Sequence, residues 1–167
     1  MIKMMRGIYK EDKKIIICIF ITSFILFLII SYFLLCVMDI KKIIEPMENF
    51  TTNIITFISI AFGFYLTSLS VIFSSKYIGM LNTTDERKPD QKKIHTLREY
   101  FKLAIYCALT TIVVSFMTLI CIFFNERNII AIVFALLVAI FIENFIFIYL
   151  LLKIFTDALV IQARKDN

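Results

Sequence analysis

Residues 129–152, IIAIVFALLVAIFIENFIFIYLLL, decide the fold. The run is apolar throughout except at Glu143 and Asn144. At about 1.5 Å rise per residue it is long enough to cross a bilayer as a single helix. Ala131, Ala135 and Ala139 lead to Glu143 at intervals of four residues, so they form one slowly drifting stripe on that helix. Small residues let a second helix approach closely. An acid at this depth is expensive, so it faces protein or water and is a functional-site hypothesis by default.

Three more runs of similar length surround this one in the chain, at 15–38, 53–73 and 103–124. Together they predict an all-α fold, an integral membrane four-helix bundle occupying residues 1–167 as a single domain. The composition agrees: 60% of the 167 residues are apolar, and mean hydropathy is +0.89. Those values lie far outside the range of soluble domains. The charged N-terminal segment mimics a signal peptide, but the run after it is too long and no small-x-small cleavage site follows. It reads as a retained helix.

Orientation follows from the basic residues. Lys and Arg number five in 1–14, two in 39–52, seven in 74–102, one in 125–128 and three from Lys153 onward. Alternate segments therefore carry 15 against 3, which the positive-inside rule reads as both termini and the 74–102 loop in the cytoplasm. Heavy use of Ile, Lys and Asn suggests an AT-rich genome, and with it the inner membrane of a bacterium. The net charge of +5 fits topology and anionic lipid. Nucleic acid is not expected as a partner, because Asp85, Glu86, Asp90 and Glu99 interrupt the basic residues and no aromatic-interleaved basic platform is present.

Within the third run Ala104, Ala108, Thr111, Ser115 and Thr118 recur at a mean spacing of about 3.5, the seam of a packed helix pair. Ser59, Gly63 and Thr67 make a small-xxx-small face on the second. Counting inward from the flanking lysines puts Glu143, with Asn144 beside it, Thr111, Ser115, Tyr65, Thr67, Ser68, Thr22 and Ser23 in one slab of the membrane. No Lys, Arg or His shares that slab. A carboxyl there is most stable as the neutral acid, able to donate a hydrogen bond to a neighbouring hydroxyl or carbonyl. Two roles are open to it: interhelical packing glue, which the sequence favours modestly, or an ion or proton site.

Other chemistry is poorly represented. Cys18, Cys36, Cys107 and Cys121 are scattered singly in apolar runs, without CxxC spacing or a neighbouring His, so they read as packing residues and no metal is expected. A Cys36–Cys121 disulfide is the alternative, since both lie near one membrane end. From Asp90 the pattern turns helical, with Ile94, Leu97 and Phe101 on one face, and this helix is expected to continue into the third span without a break; His95 sits on it among cations. No GxSxG, HExxH, P-loop or dinucleotide fingerprint occurs, and three glycines leave little for a phosphate cradle. Neither a cofactor nor an enzymatic activity is expected.

The stretch GFYLTSLSVIFSSKYIGML, Gly63 to Leu81, followed by a charged loop and a polar-seamed helix, resembles small four-span membrane proteins of bacterial anti-phage defence loci, with the membrane component of the Kiwa system as the nearest comparison. The resemblance covers about a tenth of the chain and carries over no catalytic residue. It implies a membrane sensor or effector working with a cytoplasmic protein partner, for which the 74–102 loop is the available surface. The leading expectation is thus a non-enzymatic membrane protein that self-associates through the small-residue faces of spans two to four (Ser59, Gly63 and Thr67; Ala108, Thr111 and Ser115; Ala131, Ala135 and Ala139) and acts as a sensor or pore-like effector. A small transporter or channel subunit using Glu143, and a holin-like phage protein, are the alternatives.

Overall fold

A computed structural model describes residues 8–38, 40–74, 81–85, 88–124 and 126–165. Helix α1 spans Lys10–Val37 and α2 spans Ile40–Ser74. A two-stranded hairpin follows, β1 at Thr84–Asp85 and β2 at Lys88–Lys92. Helix α3 runs over Lys93–Phe124 and α4 over Arg127–Lys165. Each of the four helices is long and apolar enough to cross a membrane. A helix satisfies its backbone polar groups internally, which is what hydrocarbon demands of any spanning segment. Of the expected 74–102 loop, residues 75–80, 86 and 87 lie outside the described part, as do Lys3 and Arg6.

Two boundaries differ from the sequence reading. Residues 39–52 were expected to form a connection, yet α2 begins at Ile40 and carries Pro46 within it. Proline removes one backbone donor and frees the carbonyl four residues earlier. Pro46 is exposed near the start of the helix, where solvent can reach the freed carbonyl of Lys42. The helical pattern predicted from Asp90 starts instead at Lys93, because residues 88–92 pair with β1 in an antiparallel ladder, Asp85 opposite Lys88 and Thr84 opposite Lys92. As predicted, the polar helix after the hairpin continues into the third span without a break.

Helix α4 is the hub. Half of its most apolar window is buried, against 17% for α1. It packs along α1 on one side and α3 on another, and α3 also packs along α2. The link between α2 and α4 is largely aromatic. Phe57 stacks on Phe145 with ring centroids 5.0 Å apart, and Phe141 meets both edge-on at 5.6 and 5.1 Å. Pairs in these geometries add about 0.5–1.5 kcal/mol beyond area burial in soluble proteins.

A buried cluster closes the turn end of the bundle with one or two residues from every helix: Leu35, Ile43, Met47, Ile122, Ile130 and Ala131. At the opposite, basic end Ile8, Ile16, Leu81, Leu97, Tyr100, Phe101, Leu150 and Leu151 belong to the larger cluster. Helix α1 packs along α4, with Leu35 in one of these clusters and Ile16 in the other. Ser23 and Ser31 are, with Ile16 and Leu35, the buried residues of α1.

Candidate functional site

The intramembrane polar residues do not gather in one place. Asn144 is the centre of one group. Its Nδ2 donates to Thr111 Oγ1 at 2.8 Å and to its own helix at Ile140 O, 3.0 Å. The Tyr65 hydroxyl donates to the Asn144 carbonyl at 3.4 Å. All three side chains are fully buried, so one asparagine ties α2, α3 and α4 together at mid-span. A neighbouring contact, from Cys107 Sγ to Ile140 O at 3.7 Å, holds α3 against α4 one turn away. Two polar atoms here lack hydrogen-bond partners among the described residues, Asn144 Oδ1 and Ser115 Oγ.

Glu143 points elsewhere. At 100° per residue it lies 100° round the helix from Asn144 and about 160° from Phe141 and Phe145, which meet α2. Ala139 lies about 40° from it and Ala135 about 80°, so the three share one side of α4. Its side chain is 4% exposed, and Oε1 has no hydrogen-bond partner among the described residues. The Cys107 thiol on α3 is within its electrostatic reach. The interhelical bond that the packing reading asks of Glu143 is made by Asn144.

The small-residue stripes divide in the same way. Ala131, Ala135 and Ala139 are wholly buried inside the protomer, as are Ala108, Thr111, Ser115 and Thr118. Those faces are spent on closing the bundle. Ser59, Gly63 and Thr67 point outward. Open space surrounds the position where a Cβ on Gly63 would sit.

This outward face is longer than the sequence reading recognised. Glu45, Thr52, Thr56, Ser59, Gly63, Thr67 and Ser70 are all exposed and fall within about 40° of one line along α2. The opposite line holds Ile43, Met47, Ile54, Ile58, Ala61 and Tyr65, all buried. From Thr52 to Ser70 the polar line runs about 27 Å, close to the full thickness of a hydrocarbon core. Four of its hydroxyls donate back to their own helix, Thr52 to Glu48 O, Thr56 to Thr52 O, Ser59 to Ile55 O and Thr67 to Gly63 O, at 2.8–3.1 Å. With the proton so used, each oxygen still presents acceptor capacity outward. The signal was in the sequence as a 4-3-4-4-3 spacing. Starting the span at Asn53 cut off its first members.

A second polar group sits at the basic end, outside the apolar spans. Asp85 is 2% exposed and accepts from the Tyr9 hydroxyl at 2.8 Å and from Thr96 Oγ1 at 2.7 Å. Gln91 Nε2 donates to Thr96 at 2.9 Å. The Tyr100 hydroxyl donates to Asp12 and accepts from the Tyr9 backbone N–H at 3.3 Å. These bonds staple the start of α1 to the hairpin and to α3. Nothing in the sequence pattern joins Tyr9 to Asp85, 76 residues away.

The remaining sequence candidates form no centre. His95 is exposed, and the four cysteines are free thiols. Among the described residues no three His, Cys, Asp or Glu side chains gather as a metal site. No family model, no curated protein and no solved structure matches the chain.

Proposed function

We propose that this protein is a non-enzymatic multi-pass membrane protein that self-associates through the outer face of α2 and acts as a pore-like effector. The observation that carries the reading is the unbroken polar line from Glu45 to Ser70, exposed on the outside of the protomer. Polar side chains at membrane depth face protein or a water-filled cavity. No other helix of the same protomer covers this face. A ring of α2 helices around an axis would supply the missing surroundings, with hydroxyl oxygens toward water and the apolar flanks Ile60 and Leu66 toward neighbouring copies or lipid. Gly63, open on its outer side, suits the closest approach.

In this reading the basic end with the hairpin faces the cytoplasm of a bacterium, as the charge count implies. A cytoplasmic protein partner there, and a setting in anti-phage defence, are what the resemblance of residues 63–81 adds to the proposal.

The test is a cysteine scan of α2 in vesicles. Single cysteines at Thr56, Ser59, Gly63 and Thr67 should cross-link between copies or react with a water-soluble thiol reagent. Cysteines at the protomer-facing Ile54 and Ile58 should do neither. Vesicles containing the protein should leak small ions, and Gly63→Leu should abolish the leak while the protomer stays folded. Vesicles that remain tight, with α2 cysteines unreactive and uncross-linked, would refute the pore.

A further inference from the structure

We propose that Glu143 is a proton-binding site enclosed within the helix bundle, separate from the polar face of α2. Charge balance leads to this ligand. Glu143 is the only charged residue in α4 between Arg127 and Lys153, and α1 carries none between Lys14 and its end. A bare carboxylate enclosed in hydrocarbon needs a positive counterpart or must be neutralised. Among the described residues no Lys, Arg or His forms an ion pair with it.

A metal cation is a poor candidate. Hard cations need about six or more oxygen ligands in place of their water. Around Glu143 the stripe supplies Ala135 and Ala139, while α3 brings the Cys107 thiol. The amide of Asn144 is turned to Thr111, and the Tyr65 hydroxyl is turned to the Asn144 carbonyl. A proton needs a single acceptor, and Glu143 Oε1 is a buried acceptor without a partner among the described residues. Cys107 is the titratable group near it on α3, and α1 has no acidic, basic or histidine side chain beyond Lys14.

Position gives the site a consequence. Losing the proton would leave an unpaired charge inside the bundle, which entering water or a shift of the packed helices must then relieve. Protonation of Glu143 and the packing around α4 are therefore linked.

The experiment needs no assay of conduction, so its outcome is independent of the pore reading. Full-length protein in vesicles is treated with dicyclohexylcarbodiimide, which adds a protonated carboxyl across its N=C bond and receives the acid's proton on nitrogen. Mass spectrometry then locates the adduct, and infrared difference spectra record the carboxylic-acid C=O band. We expect an adduct on Glu143 at neutral pH that declines as pH rises, and an acid band that Glu143→Gln removes. The Gln variant, which mimics the protonated acid, should hold the same bundle stability at all pH values, read by unfolding in mixed detergent, while the natural chain loses stability as pH rises. A Glu143 that stays unlabelled and shows only carboxylate bands across the range where the protein is folded would overturn the proposal. The labelling of the natural chain decides the matter even if the variant does not fold.

Discussion

Asn144 and Thr111 meet across α3 and α4 through a 2.8 Å hydrogen bond, while Glu143 Oε1, one residue earlier, has no hydrogen-bond partner among the described residues. The helix period explains the contrast. One residue is 100° of rotation, enough to turn a side chain away from the contact its neighbour makes. Two adjacent polar residues in the same apolar run therefore have different work, one fixing the bundle and the other standing in an apolar contact.

Replacing Asn144 with Leu keeps the volume and removes the bond to Thr111. Polar contacts of this kind between membrane helices contribute about 0.6–2 kcal/mol. Asn144→Leu and Thr111→Val should each destabilise the protomer within that range. In a double-mutant cycle the pair should show a coupling of about 0.5 kcal/mol or more. Reversible unfolding in mixed detergent measures it, and strictly additive effects would separate the two residues.

Enlarging Ala135 and Gly63 should have opposite readouts. Ala135 is fully buried inside the bundle. Overpacking a tight contact costs about 1–3 kcal/mol, so Ala135→Leu should lower protomer stability. Gly63 has open space around it, so Gly63→Leu should leave protomer unfolding unchanged or slightly improved, since Leu favours helix more than Gly does. Its effect should appear in cross-linking between copies. Equal losses of protomer stability in both variants would contradict this division of the small-residue faces.

Tyr9→Phe removes the hydroxyl that donates to Asp85, leaving Thr96 as a donor to the buried carboxyl. A lost hydrogen bond to a charged group is worth about 1.5–3 kcal/mol. Faster amide exchange in 81–92 and at the start of α1, with the apolar spans unaffected, is the expected result. Asp85→Asn should loosen the same two segments together. If only the hairpin responds, the staple to α1 is not as the geometry implies.

Topology is tested most directly at Pro89, which is exposed on the hairpin. The 15-to-3 distribution of Lys and Arg predicts that a cysteine at this position resists an impermeant thiol reagent in intact cells and reacts once they are opened. A cysteine at Glu126 in the turn between α3 and α4 should show the reverse. Labelling of position 89 from outside would invert the orientation of the whole chain.

Four apolar runs, their lengths and the imbalance of basic residues were legible in the sequence by itself, because hydrocarbon imposes a one-dimensional rule of about twenty apolar residues per helix. Periodicity also exposed every stripe used above: the alanines before Glu143, the Ala108–Thr118 seam and the Ser59–Gly63–Thr67 face. What periodicity could not do was say which stripe faces a neighbour in the same protomer and which faces out. That depends on the rotation of each helix about its axis, set by long-range partners such as Phe57 with Phe145 and Asn144 with Thr111. Only the folded chain assigned Ala135 to the interior and Gly63 to the surface, gave the interhelical bond to Asn144 rather than Glu143, and brought Tyr9 to Asp85. Contacts between residues 33 to 91 positions apart leave no local pattern, because each residue's own neighbours satisfy its helix whatever lies across from it.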